Sequence, residues 1–144
     1  AMRDLAAALV AAGAEGVILP AGKLLVANQL PDDDPRKELL LQYASAFEEK
    51  YGKSADTFGG HAWDAIMLVV NAVKTGGAEP AQIRDAIENT TDFHGIGGTF
   101  NFSAERHYGL SPDAFVMITI KNGEWTLLEG AADGAAAEDG GPTG

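Results

Sequence analysis

Three histidines, His61, His94 and His107, are the only imidazoles in the chain, and they are scattered. No two stand i, i+4 on a helix and no HExxH occurs, so a zinc site is not expected. Cysteine is absent, which removes a thiolate nucleophile, a disulfide framework and a cysteine metal site. Ser103 and Ser111 lack the GxSxG turn that would expose a nucleophilic hydroxyl. Gly95-Ile96-Gly97-Gly98 is rich in glycine but precedes a strand pattern, so it reads as a turn rather than a phosphate cradle. Asp32-Asp33-Asp34 lacks the rest of a calcium loop, including the bidentate glutamate at its twelfth position. No catalytic set, metal or cofactor site is expected, and the chain is read as a non-enzyme.

Phe58-Gly59-Gly60-His61 is different in kind. It reads as a loop running into a helix N-terminus, where free N–H groups and the positive dipole end favour a ligand carboxylate. Phe58 could pack on an apolar ligand side chain, and the glycines allow close backbone approach. The competing reading makes Phe58 a core residue and the glycines a turn. Phe58, Gly59 and His61 are the candidate ligand-binding residues.

The formal net charge is -11, from 21 acidic against 10 basic residues. Phosphate binding needs clustered Lys and Arg, so nucleic acid is not an expected partner, nor is an anionic membrane surface. No apolar run reaches the roughly 20 residues of a membrane span. Ala1-Met2-Arg3-Asp4 shows no basic segment ahead of an apolar stretch, so no secretory signal is read in it.

These residues need elements to position them. Residues 4–12 are alanine-rich and helical, with Gly13 as the cap. Residues 15–20 read as a short strand buried on both faces, as in a parallel sheet. Residues 23–30 are ambiguous between a strand and an extended crossing segment. Asp32-Asp33-Asp34-Pro35 starts a helix to about Lys50, with an Asp as N-cap, Pro35 at N1 and Leu40, Tyr43, Ala44 and Phe47 on its apolar stripe. Gly52 ends it. A third helix spans 61–75, with Ala62, Ala65, Ile66, Val69, Val70 and Val73 inward and Asp64, Asn71 and Lys74 on a polar stripe. Gly76-Gly77 release it, and Pro80 begins a fourth helix with Ile83, Ala86 and Ile87 inward. Residues 99–102 alternate as a strand. Residues 114–120 and 125–128 flank Asn122-Gly123, the strongest local signal for a hairpin. Residues 130–144 read as a linker or disordered tail, which bounds the folded part at 1–129.

The order of Ala14-Glu15-Gly16-Val17-Ile18-Leu19-Pro20, Phe47-Glu48-Glu49-Lys50-Tyr51-Gly52-Lys53, Thr57-Phe58-Gly59-Gly60-His61-Ala62-Trp63-Asp64-Ala65 and Gly97-Gly98-Thr99-Phe100-Asn101-Phe102 resembles the C-terminal half of type I periplasmic binding proteins. The nearest branch is the LivJ-like, branched-chain amino acid substrate-binding proteins of ABC importers. The resemblance covers about residues 14–128. It implies an α/β fold: part of a Rossmann-like lobe of the type I periplasmic binding architecture, with a C-terminal β-hairpin. It also implies a small-molecule ligand, an amino acid or aromatic carboxylate, held as two lobes close. An ABC permease would be the partner and the periplasm or another extracytoplasmic space the location. In that family the loop before the helix matching 61–75 brings an aromatic side chain to the cleft. Here that position falls on or beside Phe58, and Gly59 and His61 follow by adjacency.

The apolar helices outnumber the strands available to cover them, so the chain reads as a truncated portion that binds ligand poorly alone. The alternatives are a ligand-sensing regulatory domain of the same fold and a self-associating module, a homo-oligomer in which two chains complete each other's sheets.

Overall fold

The computed structural model describes residues 8–128. Residues 8–11 are helical, and the chain turns at Gly13, whose φ of +84° suits a residue without Cβ. The start of the expected 4–12 helix and the expected tail at 130–144 lie outside the described residues.

The sheet is antiparallel. Strand β1 (Ile18–Gly22) runs against β4 (Phe115–Lys121), with Ile18 opposite Thr119 and Gly22 opposite Phe115. β4 in turn pairs with β5 (Glu124–Leu127). The order β1-β4-β5 corrects the expectation of a strand buried on both faces in a parallel sheet. β1 is an edge strand, and Ile18 remains 54% exposed. Its partner is a hairpin strand far along the chain, so an apolar run alone was a poor guide to its neighbours. Pro20 lies opposite Met117 on this edge strand, a place where a missing N–H is tolerated. The hairpin is as expected: Asn122 and Gly123 both take positive φ, +54° and +79°.

Residues Lys23–Gln29 resolve the ambiguous stretch as 3₁₀ turns with a kink at Val26. Leu24, Val26 and Ala27 are buried there, a spacing that fits neither a strand nor a regular helix. The turns join two apolar clusters. Val26 packs with Ile118, Ile120 and Trp125 against the sheet. Leu24, Ala27 and Leu30 pack with Leu40 and Ile96 toward the helices. Gln29 then closes the outer edge of β5. Its side-chain amide donates to the Trp125 carbonyl at 2.9 Å and accepts the Leu127 N–H at 2.8 Å. One amide thus imitates a neighbouring strand.

Helix α1 (Lys37–Tyr51) starts two residues after Pro35. The aspartates act on the turn that leads into it: Asp34 accepts the Arg36 N–H at 2.9 Å and the Lys23 ammonium at 2.6 Å. Leu40 is fully buried, Tyr43, Ala44 and Phe47 are half-buried, and Gly52 ends the helix with φ +65°.

Helix α2 (Thr57–Gly76) begins four residues earlier than its apolar pattern predicts. Asp56 is the N-cap, accepting the Gly59 N–H at 2.8 Å. Phe58 to His61 therefore form the first turns of the helix and not a loop before it. The buried face also differs. Gly60, Asp64, Leu68 and Ala72 point inward, whereas Ile66 is 65% exposed and Val69 and Val73 are exposed as well. Helix α3 (Pro80–Glu88) packs on α2, and short strands β2 (Phe93–His94) and β3 (Thr99–Phe100) pair around Gly95–Gly98.

Candidate functional site

The N-terminal turns of α2 carry two glycines that a helix ordinarily disfavours, by about 1 kcal/mol each relative to alanine. Close approach explains both. A Cβ on Gly60 would stand 2.6 Å from Ile96 Cγ2, and one on Gly59 would stand 2.9 Å from the Tyr43 hydroxyl. The first glycine admits the 95–98 loop and the second admits α1.

The loop reaches α2 through its backbone. Asp64, 2% exposed, accepts the Ile96 N–H on Oδ1 at 2.6 Å and the Gly97 N–H on Oδ2 at 2.7 Å. Successive N–H groups aimed at one carboxylate make an anion nest. Gly95 donates to the Gly98 carbonyl at 2.8 Å, closing the turn. Burial pushes the Asp64 carboxyl up. The Gly97 and Ile96 N–H groups and the charges of His61 and Arg36 oppose that rise without cancelling it. Arg36, 2% exposed, lies behind the loop, where its Nη1 would stand 3.6 Å from a Cβ on Gly98. Burial pulls the Arg36 guanidinium down, and the charges of Asp34, Asp113 and Asp64 oppose that without cancelling it.

A hollow of about 130 Å³ opens where this loop, the end of β1 and the start of α2 meet. Gly22, Thr57, His61, Ile96, Gly97 and Phe115 are among its walls. A hydroxyl, from Thr57, and an imidazole, from His61, stand among otherwise apolar and backbone groups. Small-ligand sites usually enclose about 300–1,000 Å³, so this hollow is smaller than a complete site of that kind.

The three candidate residues do not converge. His61 lines the hollow. Gly59 faces away, in an apolar groove of about 480 Å³ between α1 and α2 with Tyr43, Phe47, Trp63 and Ile66. Phe58 projects from the first turn and is 80% exposed. Successive residues on a helix point about 100° apart, so neighbours in sequence part company once the stretch is helical. Thr57, Gly22, Gly97 and Asp64 were missed. Asp64 looked like part of a polar stripe, and only the glycine-rich loop, with its free N–H groups, hinted at a buried acceptor. Among the described residues no cluster of three or more His, Asp or Glu side chains could hold a metal ion.

The sequence matches the model of a family described as periplasmic binding protein over residues 3–124. No curated protein sequence matches it. A protein of Rhodopseudomonas palustris strain CGA009 is similar in structure, with a TM-score of 0.72 at 26% identity, over 81% of this chain and 35% of its own. An extracellular ligand-binding receptor from Rhodopseudomonas palustris HaA2 gives 0.66 at 30% identity, over 81% of this chain and 35% of its own. The leucine binding protein LivK from Thermotoga maritima shares the fold, with a TM-score of 0.60 at 20% identity, over 80% of this chain and 30% of its own. The chain spans about a third of the length of these structures.

Proposed function

The chain belongs to the periplasmic binding protein family, and from that premise we propose that it forms one wall of a solute-binding cleft in an extracytoplasmic component of an ABC importer. The ligand is a small carboxylate, a branched-chain amino acid or an aromatic acid, and capture proceeds by lobe closure. The observation that carries this reading is the hollow at the start of α2, where Thr57, His61 and Gly97 offer a hydroxyl, an imidazole and bare backbone. Phe58, 80% exposed on the first turn, supports a further ligand contact from the side of an opposing lobe. Ligand would favour the closed arrangement in proportion to its greater affinity for it. Delivery would be to a membrane permease. Among the described residues no helix is long and apolar enough to cross a membrane.

The hollow is too small to enclose such a ligand, so the 144-residue chain alone should bind weakly or not at all. Titration calorimetry with leucine, phenylalanine and benzoate tests this, and micromolar binding by this chain would refute it. A second reading, a module that pairs with its own copy, is favoured by one observation: Trp63, Ile66, Val69 and Val73 leave an apolar stripe of α2 exposed.

A further inference from the structure

We propose that Asp64 is a positioning residue for the cleft wall: held in the backbone nest of Ile96 and Gly97, it sets where Gly97 meets His61 and so holds the imidazole at the mouth of the hollow. The role rests on the reading of that hollow as part of a solute site, but its geometry is independent of any ligand.

Asp64 is among the most completely buried side chains of the described residues, and both of its oxygens are taken by backbone N–H groups 32 and 33 positions away. A carboxylate desolvated to this degree is costly unless fully bonded. Charge-assisted bonds of this length are stronger than neutral ones, so the loop cannot slide along α2 without losing both. Glycine is what lets the loop come so near. A Cβ on Gly95 would stand 2.7 Å from Asp64 Cγ, and one on Gly97 would stand 3.2 Å from Asp64 Oδ2. The same Cβ on Gly97 would stand 2.8 Å from both Cε1 and Nδ1 of His61. Gly97 is therefore wedged between the carboxylate and the imidazole. His61 stands one helical turn before Asp64, on the neighbouring part of the same face. The hydrogen bond to Asp64 fixes the loop, and the loop's bare backbone fixes the ring. Asparagine has the same shape but presents an NH₂ where one oxygen was, so it can satisfy only one of the two N–H groups.

The test is nuclear magnetic resonance on the full chain. In Asp64→Asn at least one of the Ile96 and Gly97 amide protons, the one facing the new NH₂, should move upfield and exchange about tenfold faster. The His61 ring signals should shift, while those of residues 118–127 in the hairpin stay in place. Gly97→Ala keeps Asp64 ionisable and pushes on the ring directly, so it should also shift His61. If Asp64→Asn frees a loop amide and leaves His61 unmoved, the proposal is overturned. If Asp64→Asn fails to fold, Gly97→Ala decides: a shifted His61 ring supports the wedge, and an unmoved one overturns it. No readout uses a ligand, so failure to bind leucine or benzoate would count against the proposed function alone.

Discussion

The Gly97 N–H donates to Asp64 Oδ2 at 2.7 Å across 33 residues of sequence, and a neighbouring bond from Ile96 fills the other oxygen. This pair ties the hairpin loop between β2 and β3 to the second turn of α2. This buried carboxylate organises a region that also holds the buried Arg36, the exposed His61 and several glycine and apolar groups.

Gly60 sits where that tie needs room. Alanine there would gain about 1 kcal/mol of helix propensity. Its Cβ would fall 2.6 Å from Ile96 Cγ2, a branched side chain 2% exposed in the core. Overpacking of this kind costs about 1–3 kcal/mol. Gly60→Ala should therefore lower the urea midpoint despite the better helix former.

Asp34 sets part of the acid limb of stability. Burial pushes its carboxyl up, but the Lys23 hydrogen bond, the Arg36 N–H and both positive charges outweigh this and leave it below the usual aspartate range. A depressed folded value stabilises above the unfolded one, and that contribution is lost as pH falls through the folded value. Asp34→Asn should flatten the decline in thermal stability on acidification, with melts across the acid range as the check. Asp34→Ala, which leaves Lys23 unpaired, should cost about 1.5–3 kcal/mol near neutrality.

Gln29 makes two bonds to the edge of β5. Gln29→Ala should cost about 1–3 kcal/mol and speed exchange of the Leu127 amide. Gln29→Glu keeps the acceptor and loses the donor, so it should retain protection at Leu127 better than alanine does. Equal loss of protection in the two variants would contradict the strand mimicry.

Ile66, 65% exposed, contributes little to the described core. Ile66→Lys should leave the unfolding free energy within about 0.5 kcal/mol. If copies pair through the α2 stripe, light scattering should show a concentration-dependent dimer that this change weakens. A clean monomer before the change would dismiss the paired reading.

Much of the fold was legible where a residue's local chemistry decides its conformation. Gly13, Gly52 and Asn122-Gly123 were read correctly because positive φ is a local demand. The hairpin followed from its turn. Reading failed where long-range partners decide. β1 looked like a central strand because its partner, β4, lies almost a hundred residues on. The face of α2 was misjudged because its buried stripe includes Gly60 and Asp64, which no apolar count would place inside. Of the candidate site, His61 was visible as a residue beside glycines and emerged on the hollow. Gly59 and His61 were grouped with Phe58 by adjacency because a loop was assumed where Asp56 in fact caps a helix.

Gln29 and Pro20 give the sheet protection at both of its flanks. A strand approaching β5 finds Trp125 and Leu127 already engaged by a side-chain amide. A strand approaching β1 meets Pro20, which has no hydrogen to offer and breaks the row of donors. The sheet is thus poorly suited to template open-ended polymerisation. Any assembly of this chain with itself should proceed through helix surfaces, where contacts saturate, rather than through backbone ladders that propagate.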